Sequence, residues 1–524
     1  MQKLLNAFIV IALTALPVSG AVFQYCVPVT TDKTPTEAFL WVPARAEQIR
    51  GLVIGGMTLM EREMARDGLI RKACADEQLG IVFLKCGLMK SDLQKILNDL
   101  AGASGYRELS TAPLMFVGHS AGGSQAKARA VKMADRCFGL VQYRGGGPGN
   151  SKELRGVPVL MMLGQFDEFG GVMRRADGRE TWEGGRDQIA DFRAKNEGNL
   201  GSIVVESGAG HFAWSDRNAK YLAMFIRKSA KARIPAKGAT LKKIDPRRGW
   251  LTNLTINAPG EFPPASYDKY EGDRSKTAWH FDEEMARTNV AYHAGGFGKK
   301  DQFIKWNDPY WVDAGTRFFF TKLKWVGDGQ TLEVHPEYAK VYPPQYKGRG
   351  PRWLDAGKPA GHSTAPIRIR PVSGPVAALG ANTFRMHYDA LMPAGSKARV
   401  TFMAYSAGDK NYRYTEIVGM MPRGFSGLKK GKTQTITFPP IGNIKFDAGP
   451  VELKATSDAG LAVEYYVAYG PGEITGGKLK IRELPRAATF PIKMKIVAWQ
   501  FGRAVEPLVK TAVPAEQTIW IEKP

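Results

Sequence analysis

The chain has 524 residues, with 73 Lys plus Arg against 50 Asp plus Glu and a net charge of +23. A content of 44% hydrophobic and 23% charged residues excludes long disorder, and the length exceeds what one core serves, so two to four domains are expected. The excess charge is spread, 32 basic against 23 acidic residues in 1–240 and 41 against 27 beyond; with no Lys/Arg block to grip phosphates, no nucleic-acid partner is expected.

Lys3 precedes the apolar run 7–16 (AFIVIALTAL), Pro17 breaks that run, and Val18-Ser19-Gly20-Ala21 supplies small residues for cleavage. Residues 1–21 therefore read as a secretory signal peptide, and a periplasmic or secreted location follows. No later stretch reaches the roughly 18 uninterrupted apolar residues of a membrane span. Cys26 follows Phe-Gln-Tyr, which is no lipoprotein cleavage site. The four cysteines (Cys26, Cys74, Cys86 and Cys137) all lie beyond the cleavage site. In an exported chain an even number predicts at least one disulfide, with four buried thiols as the alternative. No Cys/His spacing suggests a metal.

Residues 22–235 read as an α/β domain. Apolar runs at 51–54, 80–84, 114–117, 139–143, 157–163 and 202–205 alternate with amphipathic stretches at 61–78, 91–100, 124–135, 186–196 and 218–228. That alternation predicts a mostly parallel sheet covered on both faces. Beyond Pro235 the texture changes, and eight of the 11 tryptophans lie from Trp250 onward. Residues 236–365 form a mixed region with a predicted helix over 281–291 and aromatic clusters at 306–311 and 318–325. Alternating segments from about 366 predict β-sandwiches over 366–450 and 451–524.

Gly118-His119-Ser120-Ala121-Gly122 fits G-x-S-x-G, preceded by a predicted strand and followed by a predicted helix. Such a turn exposes the serine hydroxyl and aims the next N–H at the same space. A serine nucleophile needs a base. Residues 22–235 contain only His119 and His211. His119 sits inside the turn, where its side chain is expected to point away from the reacting group. His211, in a loop after the last predicted strand, is left as the base. The acid partner should lie between serine and histidine just past a strand, which selects Asp167, with Glu168 and Glu206 as competitors.

Ser120, Asp167 and His211, in that order on an alternating pattern, resemble the α/β-hydrolase fold, and within it the dienelactone hydrolase, cutinase and esterase group. The resemblance covers residues 36–235. It implies a serine hydrolase without metal or organic cofactor, whose second oxyanion donor follows an early strand. Met57 and Ala121 are the expected N–H donors, with Gly56 one step from Met57. The region from about residue 451, with ATSDAGL at 455–461, resembles an exported bacterial Ig-like domain, which implies no chemistry.

Arg174, Arg175 and Trp182 lie in the 170–185 segment, which would overhang the site or be a plain solvated loop. Trp214 either lines the pocket or packs. The expected function is hydrolysis of esters, with those carried on polysaccharides as the expected substrates. A prolyl-oligopeptidase-like peptidase and a non-catalytic carbohydrate-binding or adhesion protein are the alternatives. Because the site closes at His211, a fragment ending near Pro235 is expected to keep its chemistry, unless residues 240–365 complete the hydrolase core.

Overall fold

The computed structural model describes residues 23–31, 35–56, 60–165, 167, 181–238, 240–256, 258–306, 323–342, 357–397, 399–420 and 426–524. The expected signal peptide, most of the 306–311 cluster, and residues 318–322 of the second aromatic cluster lie outside them.

An eight-stranded sheet organises the first half. Its strands are β1 (Tyr25–Val29), β2 (Thr36–Trp41), β3 (Gly51–Gly56), β4 (Leu79–Leu84), β5 (Leu114–His119), β6 (Cys137–Tyr143), β7 (Val159–Gly164) and β8 (Gly201–Glu206). Their spatial order is β1-β2-β4-β3-β5-β6-β7-β8. From β4 to β8 every pairing is parallel, whereas β1–β2 and β2–β4 are antiparallel. This mostly parallel sheet with helical crossovers is consistent with an α/β-hydrolase domain.

Both sheet faces are buried, which is why its strands read as continuous apolar runs rather than alternating ones. Along β5, Met115 and Val117 enter one layer while Leu114 and Phe116 enter the other. Helix α2 (Gly68–Asp76) and α6 (Asp216–Arg233) cover the first face; α3 (Leu93–Ser104) and α4 (Ala121–Lys132) cover the second.

The 61–78 stretch is two helices, α1 (Met60–Arg66) and α2, rather than one. Asp67 leaves the helical region (φ −64°, ψ 129°) and accepts the Leu69 and Ile70 N–H groups, starting a new helix. Helix α5 (Thr181–Lys195) lies between β7 and β8.

The second half does not stand apart. Helix α7 (Glu283–Ala294) and the strand Thr277–His280 lie against β8. His293 Nε2 accepts the Val205 N–H at 3.1 Å, and Asn289 donates to the Ile203 carbonyl at 2.8 Å. Met285, Tyr292, Met403 and Val418 share one buried layer with the sheet's first face. Ile492, Met494, Ile496 and Ile521 share the other layer. Buried clusters therefore cross the expected boundary at 235, which favours the arrangement in which downstream residues complete the hydrolase core. Several small, largely antiparallel sheets make up this half, compatible with β-sandwich domains. One joins the strands Arg368–Ser373, Thr401–Ser406 and Thr415–Met420.

The expected disulfide is not formed: all four cysteines are thiols. Cys74 and Cys137 are fully buried. Burial pushes the Cys137 thiol up to about 12, so these groups behave as small apolar side chains.

Candidate active site

Chain direction places the candidate residues at one edge of the sheet. Ser120 follows β5, Asp167 follows β7 and His211 follows β8, so all three leave the carboxyl ends of parallel strands.

Ser120 joins β5 to α4 with φ 58° and ψ −124°, a conformation that costs a non-glycine residue about 1–3 kcal/mol. Three bonds fix this turn. The Ser120 N–H donates to the Tyr143 carbonyl at 2.9 Å, the Ser120 carbonyl accepts the Gly123 N–H at 3.0 Å, and the His119 N–H donates to Glu61 Oε1 at 2.7 Å. Glycine is required at 118, where a Cβ would stand 2.0 Å from the Gly122 carbonyl oxygen. The serine itself remains partly exposed.

His211 Nδ1 lies 2.9 Å from both Asp167 carboxylate oxygens. An ionised carboxylate only accepts, so Nδ1 carries the proton and the lone pair resides on Nε2. Both side chains are nearly buried. Glu206, a competitor for the acid, is engaged elsewhere: it receives Arg144 at 2.7 Å, Asn218 at 2.8 Å and Ser215 at 3.3 Å. Glu168 lies outside the described residues.

The buried His119 ring lies against the His211 loop: its centroid is 4.7 Å from that of the His211 ring with the planes tilted by 50°, and its Nε2 lies 3.0 Å from the His211 carbonyl oxygen. Burial, then the neighbouring His211, holds His119 far below the usual imidazole range. A neutral ring suits its place beside the base.

Ala121 opens α4, and the first N–H groups of a helix lack intrahelical acceptors. Its amide is thus available to an anion beside Ser120. Met57, Arg174 and Arg175 lie outside the described residues.

Trp182 is buried and lines a cavity of about 170 Å³ together with Asp167, Arg144, Gly145, Leu163 and Gln188. Trp214 packs against the first-half core. It is buried, donates from Nε1 to Asp67 Oδ2 at 3.0 Å, and meets the Tyr143 ring edge-on at 5.7 Å. A larger cleft of about 670 Å³ lies off the catalytic edge, between the late turns of α6 and residues 243–248 and 279–284.

The sequence reading missed the residues around the His211 loop. Gln165 Oε1 accepts from Ser207 at 3.2 Å, the Gly208 N–H at 2.9 Å and Arg413 at 3.1 Å. Glu416 Oε1 accepts the Gly210 N–H at 2.7 Å. Burial and the facing Glu206 push the Glu416 carboxyl up to about 7, against the pull of Tyr414 and Arg144. No local signal marks Arg413 or Glu416, both far downstream of the loop they touch.

No family model matches the chain, and no curated protein matches it. Similar solved structures include the esterase domain of a Rhodothermus marinus protein (11% identity, TM-score 0.27, 40% of this chain and 97% of that one). Poly(aspartic acid) hydrolase-1 from Sphingomonas sp. KT-1 is also similar (13%, 0.29, 39% and 98%). A third is an α/β serine hydrolase homologue from Coxiella burnetii (14%, 0.26, 40% and 97%). Each likeness spans two fifths of this chain at a low TM-score; the fold assignment rests on the strand order itself.

Proposed function

We propose that the protein is a serine hydrolase that cleaves carboxylic esters. The observation that carries this reading is the His211–Asp167 bond at the same sheet edge as a strained, partly exposed Ser120. Ser120 Oγ attacks the ester carbonyl while His211 Nε2 takes its proton, and the tetrahedral oxyanion is held by the Ala121 N–H and a second donor at Met57. His211 then returns the proton to the leaving alcohol, and an acyl-serine remains. Water, activated by the same nitrogen, releases the acid. Asp167 holds the Nδ1–H tautomer and steadies the imidazolium. The chemistry requires no metal or organic cofactor.

Esters carried on polysaccharides, met outside the cytoplasm, are the proposed natural substrates. The leader-like N-terminus and the tryptophan-rich second half support that choice. The test is labelling of purified protein with a fluorophosphonate, followed by a panel of short and long nitrophenyl esters, acetylated glycans and peptide amides. A single label at Ser120, lost in Ser120→Ala, with turnover of esters is expected. Labelling that survives Ser120→Ala sinks the assignment.

A further inference from the structure

The loop that carries His211 is built from Ser207-Gly208-Ala209-Gly210, a sequence with little stiffness of its own. Within the first half the Ala209 N–H reaches the Glu206 carbonyl at 3.3 Å, and Ser207 and Gly208 converge on Gln165. His119 Nε2, also from the first half, lies 3.0 Å from the His211 carbonyl oxygen. Further anchors come from the second half of the chain. Gly208 adopts φ +73°, and a Cβ there would stand 1.7 Å from the Tyr414 carbonyl oxygen, so the two backbones are in direct apposition. Arg413 bonds the same Gln165 oxygen that receives the loop. The Gly210 N–H, immediately before His211, ends on Glu416, and Tyr414 holds the other Glu416 oxygen at 2.6 Å.

We propose that Glu416 is a positioning residue for the catalytic base: by accepting the Gly210 N–H from the strand Thr415–Met420, it fixes the backbone that sets the His211 ring against Asp167. This inference rests on the hydrolase reading above. The peptide linking Gly210 to His211 determines where the imidazole begins. An oxygen acceptor on the adjoining Gly210 N–H holds the backbone that leads into that peptide. Catalysis is sensitive to such placement, since a misplacement of about 1 Å can cost on the order of 100-fold. The second half of the chain thereby contributes a residue to catalytic geometry without touching substrate.

The experiment compares Glu416→Ala and Glu416→Gln with the wild-type full chain on a small soluble ester, after melting curves establish that each is folded. Glu416→Ala is expected to lower kcat by roughly 10- to 100-fold with KM changed less than about threefold. Glu416→Gln keeps an oxygen acceptor for Gly210 and should recover kcat to within about threefold of wild type. A folded Glu416→Ala with wild-type kcat, or a Gln variant as impaired as the Ala variant, overturns the proposal. If Glu416→Ala does not fold, Glu416→Asp decides. Its charge is kept but its reach is shortened, so a kcat below about a third of wild type supports the role and an unchanged kcat overturns it. Failure of the hydrolase reading looks different, because then the wild-type chain itself is neither labelled at Ser120 nor active.

Discussion

Truncation after Pro235 removes every residue downstream of α6 while leaving Ser120, Asp167 and His211 in place. On one face of the sheet it strips away Met285, Tyr292, Met403 and Val418; on the other it removes Ile492, Met494, Ile496 and Ile521. Burying an apolar side chain contributes about 1.5–3 kcal/mol. The hydrolase side of these contacts loses a comparable area, so half a dozen uncovered positions already amount to roughly 10 kcal/mol. That equals the whole stability of a typical domain, about 5–15 kcal/mol. Polar losses add to it, since the buried Val205 N–H loses His293 and the Gly210 N–H loses Glu416. The fragment 22–235 is therefore expected to be insoluble or to lack a cooperative melt, and to take no fluorophosphonate label. Expression of the fragment beside the full chain, with soluble yield, thermal melting by circular dichroism and labelling as readouts, checks this. A fragment that melts cooperatively and turns over a small ester at the full-chain rate refutes the argument.

Ser120→Ala and His211→Ala should each lower kcat roughly 10³-fold or more, and the double variant little further, because nucleophile and base act as one unit; additive losses would contradict this. Asp167→Asn should be impaired no more than either of them, and an unimpaired variant would remove Asp167 from the unit. Trp214→Phe keeps most of the packing but loses the bond to the Asp67 carboxylate, so melting should show a loss of about 1.5–3 kcal/mol with KM unchanged; a raised KM would return Trp214 to the substrate pocket. Thiol titration of the unfolded protein without reductant should find all four cysteines, and two or none would restore the disulfide expectation. Glu416, facing Glu206, Arg144 and Tyr414, has its carboxyl raised from the ordinary 4.5 to about 7, so the folded state holds the extra proton between those values. Wild-type stability from this group is full below about 4.5 and is lost as pH rises toward 7; the melting temperature of Glu416→Gln relative to wild type should rise over that window, and a flat difference refutes the linkage.

What the sequence revealed was local. The serine turn declared itself because five consecutive residues, a preceding apolar run and a following helix all belong to one motif. His211 followed by elimination and Asp167 by chain order, and the structure places these two in hydrogen-bond contact. The break at Asp67 was also present as Asp67-Gly68, but an amphipathic period running through 61–78 concealed it, since periodicity is indifferent to a single capping residue. Strand β1 and its pairing with β2 lay outside the alternating pattern, because an antiparallel edge has no helix beside it in sequence. The disulfide expectation came from compartment, not geometry, and the fold leaves all four cysteines as thiols. His119 was placed by its neighbours in the chain alone, and its ring contacts with His211 and Phe212, which arrive from another loop, left no sign there. Glu416 and Arg413 left no trace, because contacts across some 200 residues obey no spacing rule.

The two halves of the candidate site are stabilised by different means. Ser120 occupies a backbone conformation costing about 1–3 kcal/mol, and its surroundings offset that within the first half: Glu61 holds the His119 N–H and Tyr143 the Ser120 N–H. A hydrogen bond to a charged group contributes about 1.5–3 kcal/mol, so Glu61 alone is of the right size to keep the turn strained but fixed. The His211 loop presents the opposite problem. It carries little strain and much freedom, with Gly208 and Gly210 before the histidine, and needs restraint rather than compensation. Gln165 and His119 supply part of that restraint from the first half, and residues 413–416, on a sheet packed against the first half, supply the rest at Gly210 and Gln165. Nucleophile geometry is thus complete once the β5–α4 turn has formed, whereas base geometry is complete only when the second half has docked. Under the proposed mechanism, an incompletely folded chain would carry an exposed serine without a positioned base, and attack on an ester would wait for the last contact to close.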